Sequence, residues 1–180
     1  MNGLFLFKNR NYFWQKKGMI QRVQTIFLFV AAVAMMCMLF FPIWQKVNET
    51  KTEMALMDAF SLTYSKVYPD GNMEEMGNKD TYYISIMAVI SAVVALFSIF
   101  QYQNRLRQIQ LGALNSFLVM ITMFLSLYFI LKSEAVLAPN LQGTYLIGFY
   151  FPVVALLCNL MANRFIRRDE QLVRSADRIR

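Results

Sequence analysis

Histidine is absent from this chain, and charge is sparse, at 16% of residues against about 25% in an ordinary soluble domain. Without histidine the commonest metal ligand and the commonest acid–base catalyst are both missing. Only two cysteines occur, Cys37 and Cys158, each inside an apolar run. They make neither a disulfide framework nor a zinc spacing, and read as small apolar fillers. Charge is missing most sharply from four long windows. No Asp, Glu, Lys or Arg occurs in residues 23–45, 81–104, 108–131 or 135–163.

Each window exceeds the roughly 20 apolar residues that a helix needs to cross about 30 Å of hydrocarbon. In lipid the backbone must satisfy its own hydrogen bonds, which favours helices over open strands. A transmembrane barrel would show alternating segments of about ten residues, and these runs are continuous. The windows predict helices over about 23–41, 81–102, 110–131 and 141–163. Pro42 ends the first, Pro139 suits the opening turn of the fourth, and Pro152 inside the fourth predicts a kink. A cleaved signal peptide does not fit the first run, which is too long and is followed by the bulky Phe40-Phe41-Pro42-Ile43-Trp44. The expected fold class is an all-α membrane protein, a four-transmembrane-helix bundle forming a single domain over 19–180, preceded by an extension at 1–18.

The basic residues give an orientation. Lys8, Arg10, Lys16, Lys17 and Arg22 precede the first helix, Arg105 and Arg107 sit in the second connection, and six arginines follow the fourth helix. These are thirteen of the eighteen basic residues, whereas eight of the eleven acids lie on the other side. The positive-inside rule then places both termini in the cytoplasm. This asymmetry accounts for the net charge of +7 without a nucleic-acid partner. Trp44 and Tyr82–Tyr83 fit an outer aromatic belt, and Tyr102 an inner one.

Residues 45–80 form the one sizeable outer loop. Met54–Tyr64 alternates weakly and ends in strand-formers, and Pro69-Asp70-Gly71 is a turn signal. These features predict a short β-hairpin or small sheet on the outer helix ends; the alternative is a loop without regular structure. Residues 70–80, acidic with Asn and Gly, read as mobile. Asp58, Asp70, Glu74, Glu75 and Asp80 read as a solvated face rather than a catalytic pair.

No ionisable acid or base lies within a span, which argues against a proton or ion path. Amides do occur. Gln24, Gln101, Asn104, Gln108, Asn115 and Asn159 all fall in the cytoplasmic third. One reading is interhelical hydrogen bonding that fixes the bundle's register, with Asn115 and Asn159 tying helices 3 and 4. The other is a cytoplasm-facing cavity for a small molecule or lipid headgroup. In the second helix Ala88 and Ala92, and Ser91 and Ala95, are four apart, a small-residue face that lets neighbours approach closely and marks that helix as central.

The tail at 164–180 continues the fourth helix as an amphipathic cytoplasmic segment, with apolar positions at Phe165, Leu172 and Ile179. Glu170 can pair with Arg174, and Arg174 with Asp177. Arg22, Arg105, Arg107, Arg167, Arg168, Arg174 and Arg178 are candidate contacts for headgroups or a cytoplasmic partner.

Several local patterns occur together. Met19-Ile20-Gln21-Arg22-Val23-Gln24-Thr25 opens the first helix and Phe40-Phe41-Pro42-Ile43-Trp44 closes it. Gln101-Tyr102-Gln103-Asn104-Arg105 and Gln108-Ile109-Gln110-Leu111 cross the second connection. Arg167-Arg168-Asp169-Glu170 and Leu172–Arg180 end the chain. Over 19–180 this pattern resembles the bacterial membrane-protein family termed domain-of-unknown-function family 4293. The resemblance implies four helices in a bacterial inner membrane and implies no activity. Members of that family begin at the position of Met19, so residues 1–18 depart from it, with Leu4–Phe7 and Trp14 suited to the inner leaflet. Four helices with one large first loop are also similar in topology to claudin-like proteins, without their first-loop cysteine pair. The expected function is that of a non-enzymatic scaffold or accessory subunit of a membrane complex, with the bilayer and a membrane protein as partners and no cofactor. The alternative is a small-molecule or lipid-binding transporter built on the amide cluster.

Overall fold

The computed structural model describes residues 23–178 apart from 51, 69, 71, 103 and 135–140, and for 173, 174 and 176–178 it describes the backbone only. The first helix, α1, spans Val23–Cys37. Four strands follow, β1 (Trp44–Val47), β2 (Glu53–Met57), β3 (Ser61–Val67) and β4 (Met73–Asp80). Helices α2 (Tyr82–Phe100) and α3 (Arg105–Glu134), strand β5 (Thr144–Tyr145) and helix α4 (Ile147–Arg178) complete the chain. Three helices are long and apolar enough to cross a membrane: α2, α3 and α4 over Ile147–Leu172. α1 is apolar but shorter over its described residues. The extension at 1–18, with Arg22, lies outside the described residues.

The helices are built for an apolar solvent. Phe97, Phe117, Phe124 and Leu157 are all more than half exposed, while Ser91, Ser98, Asn115, Thr122, Ser126 and Asn159 are buried. Apolar outside and polar inside suits lipid, where interhelical polar contacts replace a hydrophobic driving force. Several hydroxyls are satisfied within their own helix: Thr122 donates to the Leu118 carbonyl, Ser126 to Thr122 and Ser133 to Phe129, each four residues back. The small-residue face of α2 is the face it buries, through Ala88, Ser91, Ala92, Ala95 and Ser98. α3 packs against both α2 and α4. Phe27 stacks on Phe165 and Phe41 packs on Phe151, so α1 runs antiparallel to α4. α4 continues through Pro152 to Arg178 without interruption, carrying the tail with it.

The all-α expectation is overturned by a five-stranded antiparallel sheet in the order β4-β3-β2-β1-β5. Alternation explains its inner face. Trp44 and Lys46 of β1, Ala55 and Met57 of β2 and Leu62 of β3 are buried, and the apolar ones join Met35, Met38, Ile84 and Ile130 in one core. Asp58 sets the β2–β3 turn, its Oδ1 accepting from the amides of Phe60 (2.8 Å) and Ser61 (2.7 Å). This acid is a turn device rather than part of a solvated face.

Two further differences concern the sheet. Residues 73–80, expected to be mobile, form β4, paired with β3 through a bulge between Tyr64 and Ser65. Gly, Asn and Asp disfavour strands by themselves, but pairing with Thr63, Tyr64 and Val67, and the opposition of Lys66 to Glu74, override that preference. Trp44, expected in the outer belt, is fully buried instead. It lies under Gly143, where any Cβ would overlap the indole. Tyr82, Tyr83 and Tyr102 are exposed as a belt requires.

Candidate functional site

The bundle has two polar ends. At the sheet end Lys46 points inward beside Trp44 and is 2% exposed. Its ammonium donates to the Glu134 carbonyl at 3.1 Å. That carbonyl ends α3 and has no partner within its helix, and a cation at a helix C-terminus is electrostatically favoured. Tyr64 Oη donates to Ser133 Oγ at 3.3 Å, and Glu134 Oε1 accepts from the Gly143 amide at 3.2 Å. Leu146 N donates to the Ile43 carbonyl, and Gly148 N to that of Pro42. These contacts fasten the sheet to α3 and to the start of α4.

The opposite end, where α2 meets α3 and α4 extends as the tail, holds the predicted amides. Gln108 Nε2 donates to the Ser98 carbonyl at 3.2 Å, tying α3 to the last turn of α2. Asn115 Oδ1 accepts from Ser91 Oγ at 2.8 Å, so it links α3 to α2 rather than to Asn159. Asn159 Nδ2 donates to the Gly112 carbonyl and to Ser116 Oγ, both at 2.7 Å, linking α4 to α3. Gln101 caps the end of α2 through its backbone N–H, which donates to the Ser98 carbonyl. Asn104 is exposed, and its Oδ1 accepts from the Arg107 amide in the first turn of α3. Gln24 is buried on α1, and its Nε2 has no partner among the described residues. The six amides are therefore not one cluster. Three form an interhelical row, Asn104 caps the start of α3, Gln101 sits at the end of α2, and Gln24 stands apart on α1.

Among the predicted arginines, Arg105 pairs with Asp169, which is 5% exposed, and so joins the start of α3 to α4. Arg107, Arg167 and Arg168 are exposed. The side chains of Arg174 and Arg178, and hence the Glu170–Arg174–Asp177 pairing, lie outside the described residues.

Sequence reasoning missed the feature that organises this end. Asn163, one turn beyond Asn159, rests on Gly112 so closely that a Cβ at position 112 would overlap its amide. Gly112 and Ser116, also four apart, face Asn159 and Asn163 across the helix pair. The matched four-residue spacings were the available signal. Beside this contact a cavity of about 750 Å³ opens between α3 and α4. Ala113 and Leu160 form its apolar side, and Arg164, Arg167, Arg168 and Gln171 its polar side. Asn163 Oδ1 is buried without a hydrogen-bond partner among the described residues, as are Asn115 Nδ2 and Asn159 Oδ1. No group of three or more His, Cys, Asp or Glu side chains able to hold a metal occurs among the described residues.

Compared with known proteins, residues 20–179 match the family described as Domain of unknown function (DUF4293). No curated protein matches the chain.

Proposed function

The chain belongs to the DUF4293 family, and on that premise we propose that it is a non-enzymatic accessory subunit or scaffold of a membrane complex. The observation that carries this reading is β4. It is the sheet's edge, all eight of its residues are exposed, and Met73 and Met76 are exposed by 63% and 64%. An unpaired strand edge is a template for a partner's strand, and flexible methionines adapt to partner surfaces. The fastened sheet would hold this edge in fixed register with the membrane. The basic asymmetry supports a bacterial inner-membrane location with both termini cytoplasmic and the sheet on the outer face.

A photo-crosslinking residue at Met76, followed by mass spectrometry of the adducts, tests the proposal in cells. A defined membrane or periplasmic partner is expected, lost when Glu75→Pro disrupts the edge. Adducts to no specific partner under several growth conditions would sink it. The transporter alternative draws on the cavity between α3 and α4 and predicts solute or lipid flux in proteoliposomes.

A further inference from the structure

Three arginines border the cavity between α3 and α4 without an acidic partner among the described residues. Arg164, Arg167 and Arg168 are spaced three and four apart, so they share one face of α4. The buried acid nearby in sequence, Asp169, is committed to Arg105. Like charges gathered on one helix face destabilise it unless an anion joins them. Guanidinium groups suit phosphate oxygens, which they can engage in pairs.

Asn163, 8% exposed, borders the cavity, but its amide oxygen is packed on Gly112 and closed off from a ligand, so the arginines carry the recognition. Toward the sheet end the lining turns apolar at Leu160 and Ala113. A volume of about 750 Å³ lies within the roughly 300–1,000 Å³ typical of small-molecule sites.

We propose that this cavity binds a phosphate ester, the phosphate headgroup of an anionic phospholipid. Arg164, Arg167 and Arg168 hold the phosphate, and the acyl chains follow Leu160 and Ala113 toward the bilayer. The site stands independently of the accessory-subunit reading, because neither its residues nor its test involves β4.

Native mass spectrometry of the delipidated full chain tests it, with phosphatidylglycerol, phosphatidic acid and phosphatidylcholine as competing probes. Phosphatidylglycerol and phosphatidic acid are expected to bind, and phosphatidylcholine to bind worst. Each arginine near an anionic headgroup contributes about 1 kcal/mol. A single Arg168→Gln therefore weakens phosphatidylglycerol about five-fold, and the triple change of Arg164, Arg167 and Arg168 to Gln weakens it roughly a hundred-fold. Lys132→Gln, at an exposed cation on the sheet end of α3 and away from the cavity lining, leaves binding unchanged. Displacement by millimolar glycerol phosphate, with no selection among lipids, assigns the phosphate to a soluble ester and upholds the site. Binding of both lipid and glycerol phosphate that survives Arg168→Gln and the folded triple variant undiminished overturns it.

Discussion

At the sheet end, the buried ammonium of Lys46 lies on the last carbonyl of α3, Tyr64 lies on Ser133, and the Glu134 carboxylate lies on the Gly143 amide. At the tail end, Arg105 with Asp169 and Asn159 with Gly112 and Ser116 join the helices, while Arg164, Arg167 and Arg168 stay exposed along one cavity. A buried cation spent on a backbone carbonyl fixes a geometry, whereas exposed cations gathered on one helix face attract an anion. The contrast assigns structural work to Lys46 and Tyr64, and binding work to Arg164, Arg167 and Arg168.

That contrast can be broken first at the sheet end. Trp44→Ala empties a fully buried indole site between sheet and helices and should cost about 3–5 kcal/mol, read as a lowered thermal unfolding midpoint in detergent. A near-normal midpoint would mean that the sheet is not fastened by its core. Midway along the bundle, Ala92→Phe forces a ring into the buried face of α2, with an expected loss of about 1–3 kcal/mol in the same assay. An unchanged midpoint would count against close packing at that face. Toward the tail, Asn159→Leu removes the link to Gly112 and Ser116 and should cost about 0.6–2 kcal/mol. A larger loss there than at Trp44 would reverse the assignment of the two ends.

The smallest effect lies on the β3–β4 hairpin. Tyr68 Oη donates to Glu74 Oε2 at 2.8 Å, and this hydrogen bond, with the carboxylate's charge, raises the phenol above its usual 10.0. A raised phenol favours the neutral form in the fold. The contact is therefore intact below pH 10 and is lost as pH rises through the folded value. Ultraviolet titration should show Tyr68 ionising late, with Glu74→Gln returning it toward 10.0 and leaving the unfolding midpoint unchanged.

Much of the helical architecture was legible because the bilayer imposes a blunt rule, and the charge-free windows obey it. The sheet was less so. Its closing strand rests on pairings such as Trp44 with Tyr145, which join segments far apart in the chain. β5 is only two residues long and has no pattern to read. Trp44 illustrates the ambiguity of an aromatic near a span's end, which suits an interface belt or a buried core equally until Gly143 is placed over it. The amides were found by depth, but depth does not say which helix each one faces, so Asn115 was assigned to Asn159 when its partner is Ser91. Asn163 was passed over although it stands four residues after Asn159. Arg105 with Asp169 could not be paired before α3 and α4 were known to be neighbours.

β5 has a mechanical consequence. Through Tyr145 and Thr144 it binds the start of α4 to β1, and Gly148 adds a bond to Pro42. α4 has 32 residues, about 48 Å at 1.5 Å per residue. Asp169 on Arg105 fastens the far end beside the arginines, so α4 is a strut held at both ends and the arginines keep a set distance from α3. A change in the sheet's seating on α4 would reach the cavity, roughly 30 Å away, as a push along the helix rather than a swing.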